Sequence, residues 1–129
     1  MAGKLVLLDT SILIDYYRKT DKSNAAWLLL IHQGYDFAVS VITKYEIYSG
    51  ANPKQQSFWD SVFENIVVIP FDEDCVNTSV AVNATLKSKR KQIALADLFI
   101  ASTALAHNLP IATLNRKHFE RIAELTIVD

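Results

Sequence analysis

The stretch Lys4-Leu5-Val6-Leu7-Leu8-Asp9-Thr10-Ser11-Ile12-Leu13-Ile14 decides the fold. An aliphatic run ends abruptly at a carboxylate and two hydroxyl residues, and apolar residues resume at once. Side-chain oxygens at Asp9, Thr10 and Ser11 suit the free N–H groups of a starting helix. The stretch therefore reads as a strand over Lys4–Leu8 passing through a cap into a short helix over Ile12–Arg18. The strand is continuously apolar rather than alternating, as it is when helices cover both faces of a parallel sheet.

The same βα alternation continues along the chain. Asp21–Asn24 offers fresh caps before a helix over Ala25–Gln33, where Trp27, Leu28 and Ile31 recur at helical spacing and Gly34 supplies a stop. Tyr35–Val39 reads as the second strand, and Ser40 opens a helix to Tyr48, ended by Gly50. Asn52-Pro53 places a cap before proline at a first helical position. Ile66–Ile69 is a β-branched third strand stopped by Pro70. A long helix runs from Asp72 to about Lys91, with Val76, Val80 and Ala84 on one face. Another starts at Ala96 or Asp97, carries Leu98, Ala101 and Leu105, and ends at Asn108 and Pro110. Ile111–Leu114 is the fourth strand, a helical turn follows over Lys117–Ile122, and Leu125–Val128 closes the chain as a short strand. The fold class is α/β, a mostly parallel sheet of four or five strands between helical layers.

A chain of 129 residues fits a single domain, here 1–129. Half the residues are apolar and 21% charged, a composition that excludes disorder and low-complexity linkers. The one cysteine, Cys75, forms no disulfide framework, and a reducing, cytoplasmic setting is the simplest expectation. No apolar run approaches the ~18 residues of a membrane helix, and the segment before Asp9 lacks the pattern of a signal peptide. A net charge of −1 gives no global positive field, so any nucleic acid must be held by a local patch.

Ligands of parallel sheets sit beyond the carboxyl ends of the strands, where strand order reverses. That places chemistry at Asp9, Ser40–Glu46, the helix start at Asp97, and Thr113–Arg116. Asp9 and Asp97 both lie in apolar surroundings with no cation nearby in sequence. An ionised carboxylate taken from water without a partner is costly, and several together need a shared proton or a cation. Hard oxygen ligands suit Mg²⁺ or Mn²⁺. Each acid also has a local reading: Asp9 as a helix cap, Asp97 as a first-turn acid, Glu46 as the end of a Thr43-Lys44-Tyr45-Glu46 capping box.

Leu7–Ile14, Ser40–Gly50, Leu95–Ala101 and Ala112–Phe119, taken together and in this order, make the chain resemble the PIN-domain ribonucleases, and more narrowly the VapC-like toxins of toxin–antitoxin pairs. The resemblance spans the whole domain and implies a three-layer α/β/α PIN-like fold. It puts Asp9, Glu46 and Asp97 on the three acidic metal-binding positions, holding Mg²⁺ or Mn²⁺. Asn115 stands where the family often has a fourth acid, so the number of ions is open. His118 stands where many VapC-like members carry another acid, and is either a ligand or proton shuttle or a surface residue. Thr10 and Thr113 fall on hydroxyl positions that orient carboxylates or waters. The implied activity is RNA hydrolysis by in-line attack of water, leaving a 5′-phosphate and a 3′-hydroxyl, with no side-chain nucleophile. The implied partners are the RNA substrate, a cognate antitoxin and a second copy of the chain.

Positive charge is grouped at Lys87, Lys89, Arg90 and Lys91, and at Arg116, Lys117 and Arg121; both groups suit RNA phosphates or a solvated helix end. Tyr16, Tyr17, Tyr45 and Tyr48 suit base stacking or packing. Trp27, Leu28, Leu30 and Ile31 exceed one buried stripe, which points to a homodimer contact. Two other readings stand beside the nuclease: a PIN-like module that only binds RNA or a partner, supported by Asn115, and an aspartyl-phosphate phosphatase or receiver using Asp9. The second lacks the companion acid, having Ser11 two residues on, and shows no later strand-end lysine.

Overall fold

The computed structural model describes residues 3–129, so the first two residues of the expected domain lie outside it. Four parallel strands form one sheet in the order β3-β2-β1-β4: β1 (Leu5–Leu8), β2 (Asp36–Ser40), β3 (Val67–Ile69) and β4 (Ile111–Ala112). Among the described residues seven helices surround it: α1 (Thr10–Arg18), α2 (Ala26–His32), α3 (Val41–Ser49), α4 (Pro53–Glu64), α5 (Glu73–Ser88), α6 (Leu95–Ala106) and α7 (Arg116–Phe119). A 3₁₀ turn over Lys22–Asn24 joins α1 to α2.

The continuous apolar strands have the predicted cause. Successive side chains of β1 enter opposite layers: Leu7 packs with Ile100, Ala104, Ile111 and Phe119, whereas Val6 and Leu8 pack with Leu13, Val39, Trp59 and Phe63. Helices α5–α7 cover the first face and α1–α4 the second. Phe119 is fully buried, an anchor contributing about 1.5–3 kcal/mol of transfer free energy.

Several boundaries differ from the sequence reading. The fifth strand reduces to a single bridge, Ile111 with Ile127, and β4 keeps only two residues before turning toward the site. Helix α1 begins immediately after Asp9, because Asp9 alone supplies the cap. Helix α5 ends at Ser88, where Arg90 takes a left-handed conformation (φ 55°); Asn108 does the same after α6. Helix α2 lacks a cap of its own, and the Asp15 carboxylate reaches across from α1 to accept the Ala26 N–H at 2.9 Å. Leu30 is core rather than spare apolar surface; the outward residues of α2 are Leu29 and Ile31.

Candidate metal-dependent active site

Strand β1 is paired with β2 on one side and with β4 on the other, so the chain order reverses at the β1–β4 junction. Asp9 leaves the end of β1 and Thr113 the end of β4, with the Asp9 N–H donating to the Ala112 carbonyl at 3.1 Å. Above that junction lies a cleft of about 730 Å³ whose wall includes Asp9, Thr10, Ser11, Glu46, Asp97 and Asn115.

Asp9 is only 2% exposed. Its Oδ1 accepts from the Ser11 hydroxyl at 2.5 Å and the Ile12 N–H at 3.4 Å, and its Oδ2 accepts from the Thr113 hydroxyl at 2.6 Å. Burial nevertheless pushes its carboxyl above the usual carboxylate value, and the Asp97 charge adds to that; the three donors offset only part of the cost. A carboxylate so placed lacks a positive partner, which is the condition a cation relieves.

Glu46 projects from the second turn of α3. Ser40, not Thr43, is the cap of this helix, with its Oγ accepting the Ile42 N–H at 2.9 Å, so Glu46 closes no capping box. Instead the Thr10 hydroxyl donates to Glu46 Oε1 at 2.6 Å and lies 3.1 Å from the buried Thr43 hydroxyl. Asp97 sits in the first turn of α6, a helix with no side-chain cap, and His118 Nδ1 lies 3.3 Å from its Oδ2. The Asn115 N–H donates to the Thr113 hydroxyl at 2.9 Å, and the residue lines the cleft wall. The oxygens of Asp9, Glu46 and Asp97 line one cleft but do not all lie within 4.8 Å of one another.

Thus Asp9, Glu46, Asp97, Asn115 and Thr10 share one wall, and Thr113 supports it from beneath. None of the basic residues named from the sequence lines this cleft, although Arg116 directly follows Asn115 on its wall. Lys89 and Arg121 line a separate groove between α5 and the chain end. Arg116 is held by Glu120 and Asp129, both at 3.5 Å. The cations on the cleft wall are Arg18 and Lys19, at the end of α1. The sequence reading passed over them, although the one-sided period of α1 carries Ile14 and Arg18 to the face of Asp9 and Ser11. Tyr16 and Tyr17 pack among Trp27, Phe58 and Trp59, and Tyr48 packs on Phe63; Tyr45 is exposed beside Glu46.

The PIN domain family model matches residues 6–125. The chain belongs to the PIN domain family. Among relatives, Ribonuclease VapC1 of Methanocaldococcus jannaschii is 35% identical over 120 residues, covering 92% of this chain and 82% of the relative. Ribonuclease VapC of Rickettsia bellii is 32% identical over 132 residues, covering 95% and 94%. The PIN fold is equally clear in three dimensions. VapBC2 from Rickettsia felis, solved bound to a DNA fragment from its promoter, contains a chain that superposes with a TM-score of 0.84 at 29% identity, covering 96% of this chain and 97% of that one. PIN ribonucleases are metal-dependent. Among the described residues no helix is long and apolar enough to cross a membrane.

Proposed function

We propose that this PIN-domain chain is an endoribonuclease of the VapC type that acts with Mg²⁺ or Mn²⁺ in the cytoplasm, as the toxin of a toxin–antitoxin pair. The observation that carries the reading is the gathering of Asp9, Glu46, Asp97 and Asn115 on one cleft at the β1–β4 junction, with Asp9 buried and its ionised form left without a positive partner. Carboxylate and amide oxygens of this kind match a hard divalent cation. Asp9, Glu46 and Asp97 would hold the ion, with Asn115 contributing a neutral oxygen. Such an ion supplies a water activated for attack and charge neutralisation at the scissile phosphate.

The protein's own groups perform the remaining tasks. Thr113 and Ser11 fix the two oxygens of Asp9, and Thr10 fixes Glu46, so the carboxylates are oriented before substrate arrives. Arg18 and Lys19 place positive charge where an RNA backbone would enter, and Lys89, Arg90, Lys91, Arg116 and Lys117 extend a more distant basic surface for longer RNA. An antitoxin segment would occupy the same cleft. Exposed Leu29 and Ile31 on α2 suit a contact with a second copy.

The test is incubation of a mixed RNA pool with Mn²⁺ or with EDTA, followed by sequencing of the ends. Mn²⁺-dependent cuts bearing 5′-phosphates, lost in Asp97→Asn, are expected. No cleavage at any metal concentration by folded protein would replace the nuclease with a module that only binds RNA or a partner.

A further inference from the structure

A second constellation of ligand side chains lies outside the acidic cleft. Among the described residues, Asp72, Cys75 and His107 are the three whose donor atoms all lie within 4.8 Å of one another. We propose that these residues form a zinc site joining the start of α5 to the end of α6.

Two elements build the site. Asp72 caps α5, accepting the Cys75 N–H at 3.0 Å through Oδ1, which leaves Oδ2 free. One turn on, Cys75 is fully buried; its sulfur lies within 4.8 Å of a donor atom of Asp72 and of His107, Thr103 also approaches it, and its contact to the Pro70 carbonyl is a weak one at 3.9 Å. His107 follows the last turn of α6, where the carbonyl end of a helix favours positive charge. The buried sulfur thus forms the floor, and exposed Asp72 and His107 form the mouth through which an ion enters. Glu73 and Asp74 in the first turn of α5 add negative charge beside it.

The donor set selects the metal. A thiolate with an imidazole and a single carboxylate is too soft for Mg²⁺ and matches Zn²⁺. Tetrahedral zinc with bonds of about 2.0–2.3 Å holds its ligand atoms ~3.3–3.8 Å apart. The three donors, all within 4.8 Å of one another, need close in by at most about 1–1.5 Å, within reach of side-chain rotation at the two exposed residues. On binding, the Cys75 thiol releases its proton to solvent, and water completes the fourth position. Because α6 carries Asp97 at its opposite end, zinc here would clamp the helix that presents a wall of the cleft.

The experiment titrates metal-free protein with Co²⁺ as a spectroscopic stand-in for Zn²⁺, then displaces it with Zn²⁺. One equivalent of Co²⁺ giving thiolate-to-cobalt charge-transfer absorption is expected, with the same band in Asp9→Asn. Cys75→Ser should abolish the band, and His107→Ala, an exposed and structurally mild change, should weaken binding by at least about tenfold. Zn²⁺ should raise the melting temperature of the parent protein but not of His107→Ala. Absence of the band in folded protein, or unchanged affinity in His107→Ala, would overturn the site. Neither result bears on Mn²⁺-dependent RNA cleavage, which uses other residues.

Discussion

Replacing Thr113 by Val tests how the buried carboxylate is held. The two side chains are nearly isosteric and the position is 7% exposed, so packing is conserved and the change isolates one hydroxyl. That hydroxyl donates to Asp9 Oδ2 at 2.6 Å and accepts from the Asn115 N–H at 2.9 Å. A hydrogen bond to a charged group contributes about 1.5–3 kcal/mol. The Asn115 N–H belongs to an exposed residue and turns to water at little cost. The expected loss in metal-free protein at about pH 7 is therefore ~2 kcal/mol, or roughly 6–10 °C in melting temperature for a domain of this size. The loss should shrink with acidity. Asp9 is held above the usual carboxylate pKa by burial, so folding disfavours its ionised form. Its contribution is fully present below the ordinary value of 3.8 and is lost as pH rises through the higher native value. Removing the donor raises that native value further, so the variant suffers most where Asp9 is ionised and only about 1 kcal/mol where it is protonated and the bond is neutral. The assay is urea denaturation in EDTA at about pH 7 and near pH 4, with Thr113→Ser as the control that keeps the hydroxyl. A loss below about 0.5 kcal/mol at neutral pH, or an equal loss at both pH values, would refute the view that this hydroxyl stabilises an ionised Asp9.

Asp9→Asn should abolish RNA cleavage while leaving the metal-free fold within about 1 kcal/mol of the parent, since a buried charge is removed and the Ser11 and Ile12 bonds keep an acceptor while the Thr113 hydroxyl loses its own; cleavage assays and urea melts in EDTA check both halves. Arg18→Ala should weaken RNA binding and reduce the slope of log affinity against log salt by about one, measured by fluorescence anisotropy. Asp15→Ala should cost about 1 kcal/mol by uncapping α2, whereas Asp15→Asn keeps an acceptor for the Ala26 N–H and loses only the 3.6 Å pair with Lys19, worth a few tenths.

The local rules that were readable from sequence are those with local causes. Asp9, Ser40, Asn52 and Asp72 each cap the helix that follows them, because each places a short polar side chain at the end of an apolar or extended stretch. The continuous strands announced a sheet covered on both faces, whereas the strand order, and with it the reversal at β1, is set by pairing between distant segments. What escaped depends on distant partners. The cap of α2 comes from a carboxylate eleven residues away, invisible to any rule about flanking residues. The last strand pairs only through Ile111 and Ile127, since the chain beyond β4 is drawn toward the cleft by the Ser11 hydroxyl, which accepts the Leu114 N–H. Lys89 and Arg116 line other grooves, and the cations on the cleft wall, Arg18 and Lys19, come from the end of α1.

The same distinction explains why each acid was ambiguous by itself. Asp9 is both a helix cap and a cleft residue, and nothing in its own segment separates the two roles. Separation comes from three side-chain contacts that span 104 residues from Thr113 to Asp9, 36 from Thr10 to Glu46 and 21 from His118 to Asp97. Each ties a group at one strand or helix end to a carboxylate or neighbour at another. The contacts cannot form piecemeal: Thr113 reaches Asp9 only when β4 has docked on β1, and Thr10 reaches Glu46 only when β2 lies on the other side. Assembly of the acidic wall is therefore coupled to completion of the sheet. The repulsion and desolvation concentrated there act against the fold as a whole and not against one loop. A cation entering that cleft should accordingly stabilise the whole domain, whereas local perturbation of any one acid should leave the remaining fold intact.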